Sequence, residues 1–268
     1  MRPGEQLAWE KRSAGELDAR GDALRALVRA NVPFVVAGAY AFFEYTGIFR
    51  DTKDLDVFLR RRDLADALDA LEEAGFRRHL EDPLWIAKAF KGEYYVDLIF
   101  SSGNGVAVVD DPWFVHARQG EVMGVPVLFA PPEEIIWSKG FVCERERYDG
   151  NDVSNLLRAV GHEMDWERLL ARFGDHWEVL LAHLLLYRYA FPGERSQVPR
   201  WVMDELSRRS LSQLGEEDPV AKTCRGTLLS RTQYQHVVEH LGYEDHRALL
   251  REAILGESGD AVSAGRGG

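Results

Sequence analysis

Cysteine is nearly absent from this 268-residue chain: Cys143 and Cys224 are the only two. They form neither a disulfide framework nor a metal-ligand spacing, so both are expected to be thiols in a reducing compartment. Long apolar runs are missing too. No stretch reaches the roughly 18 residues needed to span a bilayer, and the polar first residues lack a secretory apolar core. Basic charge is outweighed, with 33 Lys and Arg against 44 Asp and Glu and a net charge of −11. Extended duplex binding leans on many Lys and Arg contacts to phosphate, so an acidic chain is a poor partner for duplex nucleic acid. Arg60-Arg61-Arg62 and Arg77-Arg78 are local basic patches, read as solvated loop charge. These absences point to a cytoplasmic protein with no membrane partner. Its acidic surface would suit a cationic small substrate and equally serves solubility. A hydrophobic content of 46% supports a substantial core, and the length allows one large domain or two smaller ones.

What is present concentrates between Val35 and Leu59. The segment reads as a buried strand (Phe34 to Ala37), a Gly38-Ala39 turn, a short helix to Tyr45, and a second strand opening on Asp54 and Asp56. Residues i and i+2 of a strand point to one side, so the two carboxylates project together. Tyr94 to Phe100 places a lone acid, Asp97, in another apolar strand pattern. Apolar neighbours on both sides of Asp56 and Asp97 indicate a sheet covered on both faces, where an ionised acid is costly without a cation or charged partner. Three converging carboxylates form a hard oxygen site suited to Mg²⁺, and two such ions can clamp the attacking and leaving oxygens of a phosphoryl or nucleotidyl transfer. The plain alternative is a turn-capping Asp54, a solvated Asp56 on an edge strand and a half-exposed Asp97.

Gly38-Ala39-Tyr40, then Arg50, Thr52-Lys53-Asp54-Leu55-Asp56, and later Val96-Asp97-Leu98 resemble the DNA polymerase β-type nucleotidyltransferase superfamily. The nearest flavour is the small bacterial branch of antibiotic nucleotidyltransferases and abortive-infection, toxin-antitoxin-like enzymes. The resemblance covers roughly residues 32 to 100. It implies that Asp54 and Asp56 bind two Mg²⁺ ions (Mn²⁺ being a substitute), and that Asp97 binds the catalytic ion and activates the attacking hydroxyl. The family turn is commonly Gly-Ser or Gly-Gly; Ala39 lacks that hydroxyl, which leaves phosphate to backbone N–H groups. Independently of the family, Gly38 joins a strand to a helix N-terminus, where exposed N–H groups and the helix dipole favour an anion and glycine permits close approach. A plain tight turn would use the same glycine. Arg50, Thr52 and Lys53 sit where they could pair with the acids or touch phosphate.

The implied fold is α+β: a mixed sheet with flanking helices over residues 1–131, then a helical bundle over 132–209, then a linker, a small docking segment and a disordered tail over 210–268. Residues 1–12 read as frayed. A helix is expected from Glu16 to Ala30, and another after Asp63 as N-cap, facing the core with Leu64, Leu68 and Leu71 and stopped by Gly75. Strands are expected at Phe76 to Leu80, Trp85 to Phe90, Tyr94 to Phe100, Val106 to Val109 and Val122 to Phe129, with Ser101 to Gly105 as a loop. Pro131-Pro132 marks the boundary.

In the second half a helix from Glu133 to Arg147 would align Lys139, Cys143 and Arg147 at i, i+4 and i+8. Lys139 and Arg147 could then reach a triphosphate, as the resemblance also suggests for Lys139, or form a solvated, salt-bridged face. Asp149 or Asn151 is expected to cap the next helix, and toxin-type relatives suggest a role for Asp152. Helices follow at Trp166 to Phe173, Trp177 to Ala190, with Leu180, Leu181, Leu184 and Leu185 in the core, and Pro199 to Arg209. Residues 210–220 read as a linker, Thr223 to Arg247 as a compact segment bearing Tyr234 and Tyr243, and Gly256 to Gly268 as the tail.

The function these features imply is transfer of NMP from an NTP, such as ATP, to an acceptor hydroxyl on a small molecule, tRNA or protein, with release of pyrophosphate. A non-catalytic binding or antitoxin-like module of the same fold is the alternative, and its signature would be loss of one of the three acids. His236-Val237-Val238-Glu239-His240 also matches the inverted zinc-protease pattern H-x-x-E-H. Two exposed helix histidines explain it equally, since zinc chemistry demands a third ligand.

Overall fold

The computed structural model describes residues 13–215 and 222–264. The expected frayed start, part of the linker and the last four residues of the tail lie outside them. The described residues within Met1–Gly103 and Ala107–Pro131 form one compact unit, and those of Asn104–Val106 with Pro132–Gly268 form a second.

The first unit is built on a mixed seven-stranded sheet. Its strands are β1 (Val35–Val36), β2 (Leu55–Phe58), β3 (Arg77–Asp82), β4 (Ile86–Lys91), β5 (Tyr94–Ile99), β6 (Arg118–Val122) and β7 (Val125–Phe129), in the order β3-β4-β5-β2-β1-β7-β6. β2 runs parallel to β5 and β1 parallel to β7, while the other neighbours are antiparallel. Leu55, Val57, Val96, Leu98, Ala87 and Ala89 are all essentially fully buried, so one face of the central strands is sealed by aliphatic side chains. Helix α1 (Ala14–Arg29) packs on β5 and on α3 (Leu64–Glu73), and α3 packs on β3 and β4. Ser13 caps α1 by accepting from the Glu16 N–H at 3.1 Å. Leu24 and Leu27 of α1 are buried while Val28 is half exposed. Helix α2 (Gly38–Thr46) follows β1 directly and ends at Gly47 in the left-handed region.

Four expectations for residues 63–129 are corrected. Val106 to Val109 is no strand: the Ser102 N–H donates to the Ala107 carbonyl, and the Ala107 N–H donates to Ser102 Oγ at 2.8 Å, which folds the segment into a loop. The chain continues into a short helix, α4 (Pro112–Val115), whose Trp113 stacks on Phe58 at 5.0 Å between ring centroids. Val122 to Phe129 is a hairpin and not one strand, because Met123 (φ 54°) and Gly124 (φ 74°) make the two-residue left-handed turn that matches strand twist. Asp63 precedes α3 without a side-chain cap, its carboxylate being 3.2 Å from the Arg60 guanidinium. The core face of α3 is Ala67, Ala70 and Leu71, with Leu64 and Leu68 only half-buried.

The second unit is helical: α5 (Pro132–Gly140), α6 (Gly150–Val160), α7 (Trp166–Phe173), α8 (Trp177–Ala190) and α9 (Arg200–Ser212), then β8 (Thr223–Cys224), α10 (Arg231–Leu241), β9 (Glu244–Asp245) and α11 (His246–Ala264). The start of α5 is tied to α7 by charge. Glu134, fully buried, receives Arg168 at 2.6 Å through both oxygens and Arg172 at 3.1 Å, while Glu133 accepts the Asp165 N–H at 2.6 Å.

Here the expected helix to Arg147 stops at Gly140, so Lys139, Cys143 and Arg147 share no helical stripe. The Cys143 N–H instead bonds to the Leu229 carbonyl and the Asp149 N–H to the Val142 carbonyl, closing a loop. Asp149 precedes α6 without capping it, because its carboxylate is taken by Lys139 and Arg147. Leu180 and Leu184 are core, but Leu185 is 53% exposed, since Trp177, His183 and Tyr187 complete the buried face of α8. The expected linker begins inside α9, and the expected tail is helical as far as Ala264. Among the described residues no helix is long and apolar enough to cross a membrane.

Candidate active site

The parallel pairing of β2 with β5 puts Asp56 directly opposite Asp97, and Asp54 precedes β2 by one residue. Alternation along both strands turns these acids away from the sealed face that carries Leu55, Val57, Val96 and Leu98. One carboxylate oxygen from each of Asp54, Asp56 and Asp97 lies within 4.8 Å of the others. Among the described residues this is the one cluster of three His, Cys, Asp or Glu side chains close enough to share an ion. An all-oxygen donor set of this size matches Mg²⁺ or Mn²⁺ rather than a softer metal.

Gly38 explains itself against these acids. Its φ is +56°, and a Cβ built there would overlap Asp56 Oδ2. Glycine is therefore required both by the backbone conformation and by the close approach of the Asp56 carboxylate to the turn. Ala37, which precedes α2, supplies no side-chain cap, and its N–H donates to the Asp56 carbonyl at 3.0 Å. The strand-to-helix turn and the acid strand are thus joined through the backbone.

A buried arginine holds the approach to Asp54. Arg20 of α1, 1% exposed, donates to Tyr40 Oη at 2.9 Å and to the Thr52 carbonyl at 3.1 Å, and pairs with Glu16 at 2.6 Å. It ties α2 and the 47–54 loop to one point on α1. The Thr52 hydroxyl hydrogen-bonds Asp54 Oδ1, so Thr52 orients an acid. Arg50 lies over the Phe42 ring at 4.5 Å, and Lys53 is exposed.

Lys88 of β4 stands opposite Asp97 in the antiparallel register and donates to its Oδ1 at 2.8 Å. Burial raises the Asp97 carboxyl above the ordinary carboxylate range, with Asp54 adding repulsion, and the Lys88 bond offsets this only in part. Burial alone would lower Lys88, but the Asp97 bond and charge hold it above its ordinary value. The Tyr95 phenol is pushed up by burial and then by the Asp54 and Asp97 charges, which records a negative field over this face.

The structure brings Asp54, Asp56, Asp97, Gly38 and Ala39 together in the first unit. Within the second, Lys139 meets Asp149 at 2.8 Å and Asp152 at 2.9 Å, and Arg147 meets Asp149 at 3.0 Å. Sequence reading missed Lys88 and Arg20, although each left a signal. Lys88 interrupts the apolar run from Trp85 to Phe90, and Arg20 falls on the Leu17, Leu24, Leu27 stripe. His236 and His240 are exposed on α10 with ring centroids 4.7 Å apart, and among the described residues no third ligand joins them.

No family model matches the chain, and no curated protein matches it. Among solved structures it is similar to antibiotic-resistance factor ANT(2'')-Ia, at 18% identity over 64% of this chain and 98% of that one, with a TM-score of 0.46. It is similar to the lincomycin-bound lincosamide antibiotic adenylyltransferase LnuA, at 17% identity over 54% and 96% of the two chains and a TM-score of 0.38. It is also similar to an antigenic nucleotidyltransferase-like protein from Paracoccidioides brasiliensis, at 14% identity over 69% and 94% and a TM-score of 0.41. Likenesses of this size leave the functional reading to the residues of the chain itself.

Proposed function

We propose that the protein is a metal-dependent nucleotidyltransferase that moves NMP from an NTP to an acceptor hydroxyl and releases pyrophosphate. The observation that carries this reading is the three-carboxylate cluster of Asp54, Asp56 and Asp97, set against the glycine turn at Gly38. In this reading the three acids hold two Mg²⁺ ions, which when bound neutralise phosphate charge and lower the pKa of an oxygen they touch. Asp97, the most buried of the three, accepts the acceptor's proton. The uncapped N–H groups of α2 at Gly38 and Ala39 receive phosphate oxygens, with Arg50 and Lys53 as flanking cations. Thr52 and Arg20 act at one remove by fixing Asp54 and the turn. Residues 1–131 serve as the catalytic domain. Within the helical domain, Lys139 is held by Asp149 and Asp152, and Arg147 by Asp149. Catalysis of this type rests on positioning and charge neutralisation, which a rigid sheet face supplies.

The acceptor is a hydroxyl compound that does not require an extended basic surface, given the net charge of −11. Incubating the full chain with each α-labelled NTP, Mg²⁺ and cell extract should move label onto an acceptor and release unlabelled pyrophosphate. Asp54→Asn should abolish the transfer. Absence of transfer with all four nucleotides and both Mg²⁺ and Mn²⁺, or undiminished transfer by Asp54→Asn, would overturn the proposal.

A further inference from the structure

We infer that Lys88 is a resident counter-cation of the acid cluster, competing with a divalent ion for Asp97. The inference rests on reading the three acids as a metal site. Cross-strand register makes Lys88, Asp97 and Asp56 one row over β4, β5 and β2, so the lysine is built into the same face as the acids. Its Nζ donates to Asp97 Oδ1 at 2.8 Å, and neither side chain is well solvated, at 20% and 9% exposure. The Tyr95 ring, 4.7 Å from Nζ, limits where the ammonium can go. A charge so poorly solvated is costly unless it is paired, and Lys88 is paired with a proposed metal ligand.

Two consequences follow from charge alone. Without metal, Lys88 neutralises part of the repulsion among three carboxylates and keeps Asp97 aimed at its partners. When a divalent ion arrives, Asp97 must divide its oxygens between that ion and the ammonium, and the two cations repel. Metal alone is therefore held weakly, whereas metal arriving with a triphosphate brings further oxygen ligands and negative charge that offset the lysine. Lys88 so favours loading of metal and nucleotide together over loading of metal alone.

The test is Mn²⁺ binding without nucleotide, followed by calorimetry or by loss of the free-ion spin-resonance signal, on the full chain as wild type, Lys88→Gln, Lys88→Met and Lys88→Arg. Thermal melting without metal is measured in parallel. Loss of the charge in Lys88→Gln and Lys88→Met should tighten Mn²⁺ binding by about tenfold, while the metal-free proteins melt lower than wild type. Lys88→Arg should match wild type in both. The glutamine variant keeps a donor to Asp97, so it reports on charge even if the methionine variant fails to fold. Unchanged or weaker Mn²⁺ binding in Lys88→Gln would make Lys88 a purely structural partner and overturn the inference while leaving the metal site standing. No Mn²⁺ binding by wild type or by any variant at millimolar ion would overturn the metal site and the inference together.

Discussion

At the scale of single residues, Asp97 and Gly38 carry opposite kinds of information. Asp97 was legible because an acid amid Val96, Leu98, Ile99 and Phe100 demands a partner; that this partner is Lys88 needed the β4–β5 register, which sequence spacing does not fix. The raised Asp97 carboxyl gives its contribution to stability a definite sign. That contribution is full below the ordinary carboxylate pKa and is lost as pH rises through the raised folded value. At neutral pH, Asp97→Asn removes this burden but leaves Lys88 short of its partner. The metal-free melting temperature should therefore move by less than about 4 °C, the equivalent of about 1 kcal/mol. Transfer activity should fall by about a thousandfold or more, since a charged ligand at the reacting centre is lost. Turnover and melting of the same preparation check both halves. Gly38→Ala behaves differently. A methyl group there meets Asp56 Oδ2 on a backbone at φ +56°, so the variant should lose about 1–3 kcal/mol of stability and activity as well, read by denaturant unfolding and turnover.

Elements were legible where periodicity and punctuation agreed. α7 and α8 fall on the residues expected, Trp166–Phe173 and Trp177–Ala190, and α7 is bounded by the Asp165 cap and by Gly174. Boundaries failed where backbone bonding to a distant segment overrode local pattern. α5 ends at Gly140 so that Cys143 can bond to Leu229, a residue far along the chain, and the Met123-Gly124 turn lacks the usual Asn-Gly signal. The early end of α5 alters what is expected of Lys139. It does not lie on a solvated stripe; it is bonded to Asp149 and Asp152, whose side chains are 11% and 7% exposed. Lys139→Ala should thus destabilise the free protein by about 3–5 kcal/mol, the usual cost of breaking a buried pair from one side. Melting that barely changes would contradict the buried pairing. Arg20 makes the same point between elements: α1, α2 and the 47–54 loop meet at its guanidinium. Arg20→Met should lower stability by about 3–5 kcal/mol and, in the protein that remains folded, reduce kcat more than it raises KM for the nucleotide, because the loop carrying Asp54 is loosened.

For the whole molecule, the α+β class was legible from the change between strand-like and helix-like patterning at Pro131-Pro132, and the structure has the mixed sheet first and the helices after it. The site was legible only in part. Spacing placed Asp54, Asp56 and Asp97 as neighbours, while Lys88, the cation paired with Asp97, comes from a strand whose alignment is a property of the folded sheet. The central claim is that the acid cluster is a metal-dependent nucleotide site, and calorimetric titration of each NTP into the full chain, with and without Mn²⁺, tests it most directly. Heat of binding should appear for at least one NTP with Mn²⁺ present, vanish when the ion is chelated, and vanish again in Asp56→Asn protein that melts normally. Binding that is indifferent to the metal, or no binding of any NTP with Mn²⁺ present, would contradict it.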